Sequence, residues 1–201
     1  ANVAGGTKTV ALTFTAATYC SANSVSYLNV GSIKLSSAYA GAALVASQTI
    51  SGADKSVIIS AQSQYCGGVD TFVSSSGGTE RFQSMGSAKY MNLVVQDSNS
   101  TGSVEFTSTV TATNTVSGSI GLVLSPAPAT TAKVKAVELL STVSTPTQTA
   151  AYSYTWNHTI ESNATLLVVA VEWLSQSWNA NCTVNGLAMT SVGGTAYANS
   201  G

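Results

Sequence analysis

The chain has 201 residues, 7% of them charged and 44% hydrophobic, with a formal net charge of −1. A typical globular domain carries about 25% charged residues, yet disorder does not explain the deficit, because disordered chains are poor in β-branched and aromatic residues and rich in charge. One Arg (Arg81) and six scattered Lys cannot build the cationic face that phosphate neutralisation requires, so nucleic acid is excluded as a partner.

Ser and Thr exceed a quarter of the chain and are spaced by Val, Ala, Leu and Ile, a composition suited to pleated, half-buried surfaces. In chain order, Gly5-Gly6 marks a flexible start. Strands are predicted at Thr9–Thr15, Val25–Leu28, Ser32–Leu35, Ala43–Thr49 and Val57–Ala61, with a turn over residues 51–54. Ser74-Ser75-Ser76-Gly77-Gly78 reads as a loop. Tyr90–Val95 follows, and then the clearest alternation: Val104, Phe106, Ser108 and Val110 on one face, Glu105, Thr107 and Thr109 on the other. Ile120–Leu124 is a short apolar strand ended by Ser125-Pro126-Ala127-Pro128, the best boundary in the sequence. This divides the chain into a β-sandwich domain, 1–128, and a second sandwich half or domain, 129–201.

Beyond the boundary, Lys133–Val143 is a strand or, less well supported, a short helix. Tyr152, Tyr154 and Trp156 alternate with Ser153 and Thr155 and define a strand with an aromatic face. Leu166–Val171 is a buried strand, far too short for a transmembrane helix. Asn185-Gly186 between apolar flanks is a hairpin signal, since both turn positions tolerate positive φ. Many short strands with Gly, Pro, Asn and Ser turns indicate an all-β, antiparallel β-sandwich of jelly-roll or pilin-like type. The segments Thr9–Thr15, Val25–Tyr27 and Ile33–Leu35 have an echo in Thr165–Val171, Cys182–Val184 and Leu187–Met189. A sandwich that opens twice and closes once leaves unpaired strand edges, through which subunits polymerise.

A start at Ala1 without Met fits a processed, exported protein, and places it outside the cell or on its surface. Four sequons, at Asn99, Asn157, Asn163 and Asn181, then become glycosylation candidates whose N-linked glycans would cover a charge-poor surface. Of three cysteines, Cys20 and Cys66 each follow a Tyr and are read as a disulfide. Cys182 is left as an inert strand residue or an intermolecular thiol. With no CxxC and no Cys near the one His, neither a metal nor another cofactor is expected.

No residue set reads as an active site. His158 lies inside a sequon, which predicts exposure, and no G-x-S-x-G elbow occurs. Glu172, beside Trp173 on an apolar strand, is the acid to watch, although a solvent-facing position is the simpler reading. Trp156, Trp173 and Trp178 would suit a sugar-stacking platform or an ordinary core. With so few ionisable groups, stability should depend weakly on pH.

Residues 163–171 and 183–192 resemble the opening half of secreted jelly-roll modules of microbial surface proteins, and Gly118–Ala127 resembles their closing strand. The permuted order implies either a piece of a longer repeat protein or a subunit whose sandwich a neighbour completes. The latter is similar to archaeal surface threads and, in assembly, to bacterial type 1 pilins. That resemblance implies donor-strand complementation, with Gly5-Gly6 as hinge, residues 7–15 as donor, and Val10, Leu12 and Phe14 as the polymer contacts. An ordinary first strand within its own domain is the competing reading. The function expected is thus a non-enzymatic subunit of an extracellular, glycosylated homopolymer used in adhesion or biofilm formation. A carbohydrate-binding module and a jelly-roll coat or surface-layer protein are the alternatives.

Overall fold

The structure is a computed structural model that describes residues 5–42, 44–65, 71–85, 91–99, 101–111, 116–128, 137–144, 150–173 and 180–192. The described residues are all-β. In chain order the strands are β1 (Gly6–Thr18), β2 (Cys20–Leu28), β3 (Val30–Ala42), β4 (Val45–Gly52), β5 (Val57–Tyr65), β6 (Phe72–Ser76), β7 (Thr79–Met85) and β8 (Met91–Ser98). They continue as β9 (Gly102–Val110), β10 (Val116–Pro126), β11 (Glu138–Ser144), β12 (Ala151–Ile160), β13 (Leu166–Trp173), β14 (Ala180–Val184) and β15 (Leu187–Ala188).

These strands form four antiparallel sheets: A (β12-β1-β14-β15), B (β11-β2-β13), C (β3-β10-β5-β8-β7) and D (β4-β9-β6). The apolar clusters show how the sheets stack. Val10, Leu12, Phe14 and Trp156 of A meet Cys20, Ala22 and Leu167 of B. Val25 and Tyr27 of B meet Ile59, Leu93, Val95 and Leu124 of C. Ile58 and Val123 of C meet Ile50 and Phe106 of D. The molecule is therefore a four-layer sandwich in the order A-B-C-D, where most domains have two or three layers.

The layering explains the composition. On the outer faces of A and D, Thr and Ser alternate with the core residues: Thr7, Thr9, Thr13 and Thr15 on β1, and Ser47, Thr49 and Ser51 on β4, are exposed. The central strands of B and C, among them β2, β5 and β8, are covered on both sides. Residues Cys20–Tyr27 of β2 are all buried although four of the eight are Ser or Asn. Small polar side chains fit between close-packed sheets and find partners there: Asn23 Nδ2 donates to Thr142 Oγ1 at 2.9 Å, and Ser26 Oγ lies 2.7 Å from Ser141 Oγ.

Most predicted strands are present, and the alternation of Val104 to Val110 is seen as predicted, with Phe106, Ser108 and Val110 buried. The stretch 74–78 is not a loop: it is the end of β6 and a two-glycine turn into β7. Asn185 (φ 47°) and Gly186 (φ 79°) make the predicted hairpin turn between β14 and β15.

β1 and β2 do not pair with other strands of residues 1–128: β1 pairs with β12 and β14, and β2 pairs with β11 and β13. Sheets A and B join both ends of the described chain, while C and D are made wholly of β3–β10. Nor is the echo a structural repeat. Thr9–Thr15 lies inside sheet A and Leu166–Val171 on the margin of sheet B, facing each other across one core.

Candidate functional site

With assembly as the expected function, the residues of interest are the strand margins and the side chains near them. β1 lies at home, between β12 and β14, in register from Gly6↔Ile160 to Thr13↔Ser153 on one side and from Val10↔Val184 to Phe14↔Ala180 on the other. Val10, Leu12 and Phe14 are buried in the A–B core of their own chain, and the Phe14 ring meets Tyr154 edge-on with centroids 6.0 Å apart. A polymer contact through these three residues therefore requires β1 to be exchanged between copies. Tyr19 alone connects β1 to β2.

β13 has one neighbour. It pairs with β2 from Leu166↔Tyr27 to Trp173↔Cys20 without a register shift, and its other edge has no partner among the described residues. Seven of its eight residues are apolar. Leu166, Val168 and Ala170 face sheet C, and Val169, Val171 and Trp173 face sheet A, all only partly buried.

The sequon asparagines are all exposed. Asn157 and Asn181 lie on the outer face of sheet A, on the two strands that flank β1. Asn157 Oδ1 accepts a hydrogen bond from Thr9 Oγ1 at 3.1 Å. Asn163 occupies the turn closed by the Ala164 N–H donating to the Glu161 carbonyl. Its Thr165 hydroxyl is already engaged, accepting from the Val30 N–H at 2.9 Å. Asn99 follows β8, and Ser100 of its sequon lies outside the described residues.

Cys20 carries a free, buried thiol in the A–B core, and burial pushes its pKa far up. Cys66 lies outside the described residues, and with it the predicted pairing. Cys182 is also a free thiol, half-buried on β14, its Sγ 3.4 Å from Met189 Sδ; burial raises its pKa to about 11. A thiol so far from ionisation is a poor nucleophile.

His158 is not exposed but wholly buried. The inward alternation of Tyr154 and Trp156 on β12 continues through it to Ile160, so it faces sheet B. The Trp156 indole N–H donates to Ser24 Oγ at 2.9 Å, and Ser24 Oγ lies 2.8 Å from His158 Nδ1. Ser141 Oγ lies 2.8 Å from the other ring nitrogen. Burial lowers the imidazole pKa. A Ser beside a His is half of a nucleophilic pair, but both are sealed between two sheets, where no substrate reaches them.

Glu172 does not face solvent either. It is 7% exposed, because β13 belongs to an inner layer covered on both sides. Burial raises its pKa well above the usual carboxylate range, opposed by a hydrogen bond from the Gln64 backbone, and its Oε2 has no hydrogen-bond partner. Asp97 is the paired acid: Arg81 Nε donates to its Oδ1 at 2.9 Å and the Tyr27 hydroxyl to its Oδ2 at 3.1 Å. Arg81 and Asp97 also line an open depression of about 680 Å³ with Gly77, Gly78 and Asn99.

The tryptophans form no shared platform. Trp156 is in the core, Trp173 packs on Phe14 with centroids 6.1 Å apart, and Trp178 lies outside the described residues. Among the described residues no three His, Cys, Asp or Glu side chains are grouped to hold a metal ion. No protein-family model, curated protein or solved structure matches the chain.

Proposed function

We propose that the chain is a structural, non-enzymatic subunit of an extracellular filament, built head to tail from copies of itself and covered by N-linked glycans, with adhesion or community formation as its use. One observation supports this reading: on the side away from β2, β13 pairs with no strand among the described residues. Proteins that must stay monomeric blunt such edges with Lys, Pro, bulges or short strands. β13 has eight residues in unbroken register and no Lys or Pro, and its one charged residue is buried. An edge left so open is matched by a strand from elsewhere, the mode of recognition in which main-chain bonds give affinity and alternate side chains give specificity.

Exchange of β1, with Val10, Leu12 and Phe14 as contacts, is a second route to the same polymer, since a one-residue connection favours swapping over folding back. The carbohydrate-binding alternative loses support because Trp156 is interior. Electron microscopy of the purified native protein tests the proposal. Filaments with a repeating bead are expected. Dispersed monomers at high concentration would overturn it, and closed shells or rings would favour a coat or surface layer, since closed interfaces make such particles.

A further inference from the structure

The open depression of about 680 Å³ beside Asp97 lies where β7 and β8 begin and end. Apart from the two turn glycines, its walls are Thr79 and Arg81 of β7 and Asp97, Ser98 and Asn99 at the end of β8. Thr79 pairs with Asp97 across the ladder, so both project on one side of sheet C, the side on which the Tyr27 hydroxyl of sheet B meets Asp97. Asn99 follows Asp97 by one strand period. The volume is that of a small-molecule cleft, roughly 300–1,000 Å³. Such clefts are mostly apolar, however, and no apolar side chain lines this one.

Charge and unused hydrogen-bonding groups narrow the class of ligand. Arg81 Nε and Nη2 both donate to Asp97 Oδ1, at 2.9 and 2.8 Å. The pair is neutral as a unit, so the depression favours neither an anion nor a cation. It is not saturated either. The guanidinium is a planar fork of N–H donors, and Arg81 Nη1 has no partner among the described residues, on a side chain that is 25% exposed. Asp97 Oδ2 accepts from the Tyr27 hydroxyl and has a second lone pair. A neutral ligand that accepts and donates at adjacent atoms matches this pair, and neighbouring hydroxyls on a sugar ring do both.

Asn99 brings such a ligand to the rim. It is an exposed sequon asparagine that itself lines the depression. A sugar joined to its Nδ2 stays at the mouth of the site at an effective concentration on the order of millimolar, so contacts too weak to capture a free sugar suffice. We propose that the depression is a sugar site, in which Arg81 and Asp97 hold the hydroxyls of a glycan carried by Asn99. Attachment replaces one Nδ2–H by a bond to the anomeric carbon of an activated sugar donor, whose phosphate carrier leaves with the proton. The proposal rests on the glycosylation in the filament reading and not on assembly.

Arg81 is the sole arginine, so its guanidinium gives an unambiguous nuclear magnetic resonance signal, in solution for a monomer and in the solid state for a filament. The native glycoprotein is compared with Asn99→Gln and Thr101→Ala, which remove the sequon at exposed positions, and peptide mass spectrometry reads the glycan on Asn99. Through-space contacts between the Arg81 guanidinium and sugar ring protons are expected in the native protein and should be lost in both variants. Arg81→Lys, which keeps a cation beside Asp97 but has no fork, should lose the contact while Asn99 keeps its glycan. Glucose, mannose and N-acetylglucosamine are then added to Asn99→Gln. If the native protein shows no contact but one of these sugars shifts the Arg81 signal saturably, the sugar chemistry stands and Asn99 is overturned as its source. If neither the native glycan nor any of the three sugars moves that signal, the proposal fails, whatever the state of assembly. Monomers that show the contact would sink the filament and leave the sugar site in place.

Discussion

His158 and Glu172 are buried ionisable groups whose effects on stability oppose each other. Burial lowers the His158 pKa below 6.5, so the unfolded chain takes up a proton first, and the stability present above pH 6.5 is lost as pH falls toward the folded value. Burial raises the Glu172 pKa above 4.5, so the folded chain holds a proton that the unfolded chain releases, and stability is lost as pH rises from 4.5 toward the folded value. Each slope is at most about 1.4 kcal/mol per pH unit, and the two slopes have opposite signs. Denaturant titrations between pH 4.5 and 6.5 are expected to show a shallower slope for the wild type than for a variant that lacks either group. Glu172→Gln should unmask a loss of stability on acidification, and His158→Gln a gain. If both variants keep a flat profile, neither residue titrates as its burial implies. The sequence predicts weak pH dependence because charges are few; the structure offers compensation between two buried groups as the cause. His158 was legible, since extending the Tyr154 and Trp156 alternation by one step places it inward. Glu172 was not, because periodicity cannot show that both faces of β13 are covered.

At the scale of elements, the C–D contact has only a small apolar cluster and is otherwise made of amides. Gln62 Nε2 donates to the Ala46 and Phe106 carbonyls at 3.2 and 3.0 Å. Gln64 Nε2 donates to the Leu44 carbonyl at 3.0 Å, and its Oε1 accepts from Asn92 Nδ2 at 3.1 Å and Ser108 Oγ at 2.8 Å. Gln64→Leu keeps the volume but strands those donors, so it should cost about 2–4 kcal/mol in urea unfolding; a cost below about 1 would mean the network is slack. The β6–β7 turn is equally constrained. A Cβ on Gly77 would lie 2.1 Å from the Glu105 carbonyl oxygen at φ +102°, whereas one on Gly186 meets nothing within 4 Å. Gly77→Ala should therefore cost about 3 kcal/mol or more and Gly186→Ala about 1, and equal midpoints for the two would contradict the close approach. The individual strands were legible because one-sided strands such as β1, β9 and β12 alternate at period two. β6 and β7 were missed because a Ser- and Gly-rich segment has the same composition in a loop as in a strand packed closely on a neighbour.

At the scale of the whole molecule, the fold class followed from turn chemistry and alternation, but the pairing of β1 and β2 with β11–β14 did not. No local pattern records a partner more than a hundred residues away, and the Pro-rich stretch after residue 124 marks a chain reversal between sandwiches as well as a domain end would. A chain ending at residue 128 should leave Val10, Leu12 and Phe14 without the partners they have in sheet A. It is expected to bind a hydrophobic dye and to be poorly soluble, and a compact, dye-free 1–128 would show that β1 and β2 find other partners. The same threading fixes an order of events. During vectorial synthesis, β1 and β2 emerge ahead of β3–β10 yet cannot close their sheets until β14, ending at Val184, has followed. The C–D sandwich, complete once residue 126 has appeared, can fold while they wait. For that interval two long strands stand unpaired on a nascent chain, and loop closure over such separations is slow. Production of this protein would then be limited by whatever guards those strands until β11 to β14 arrive.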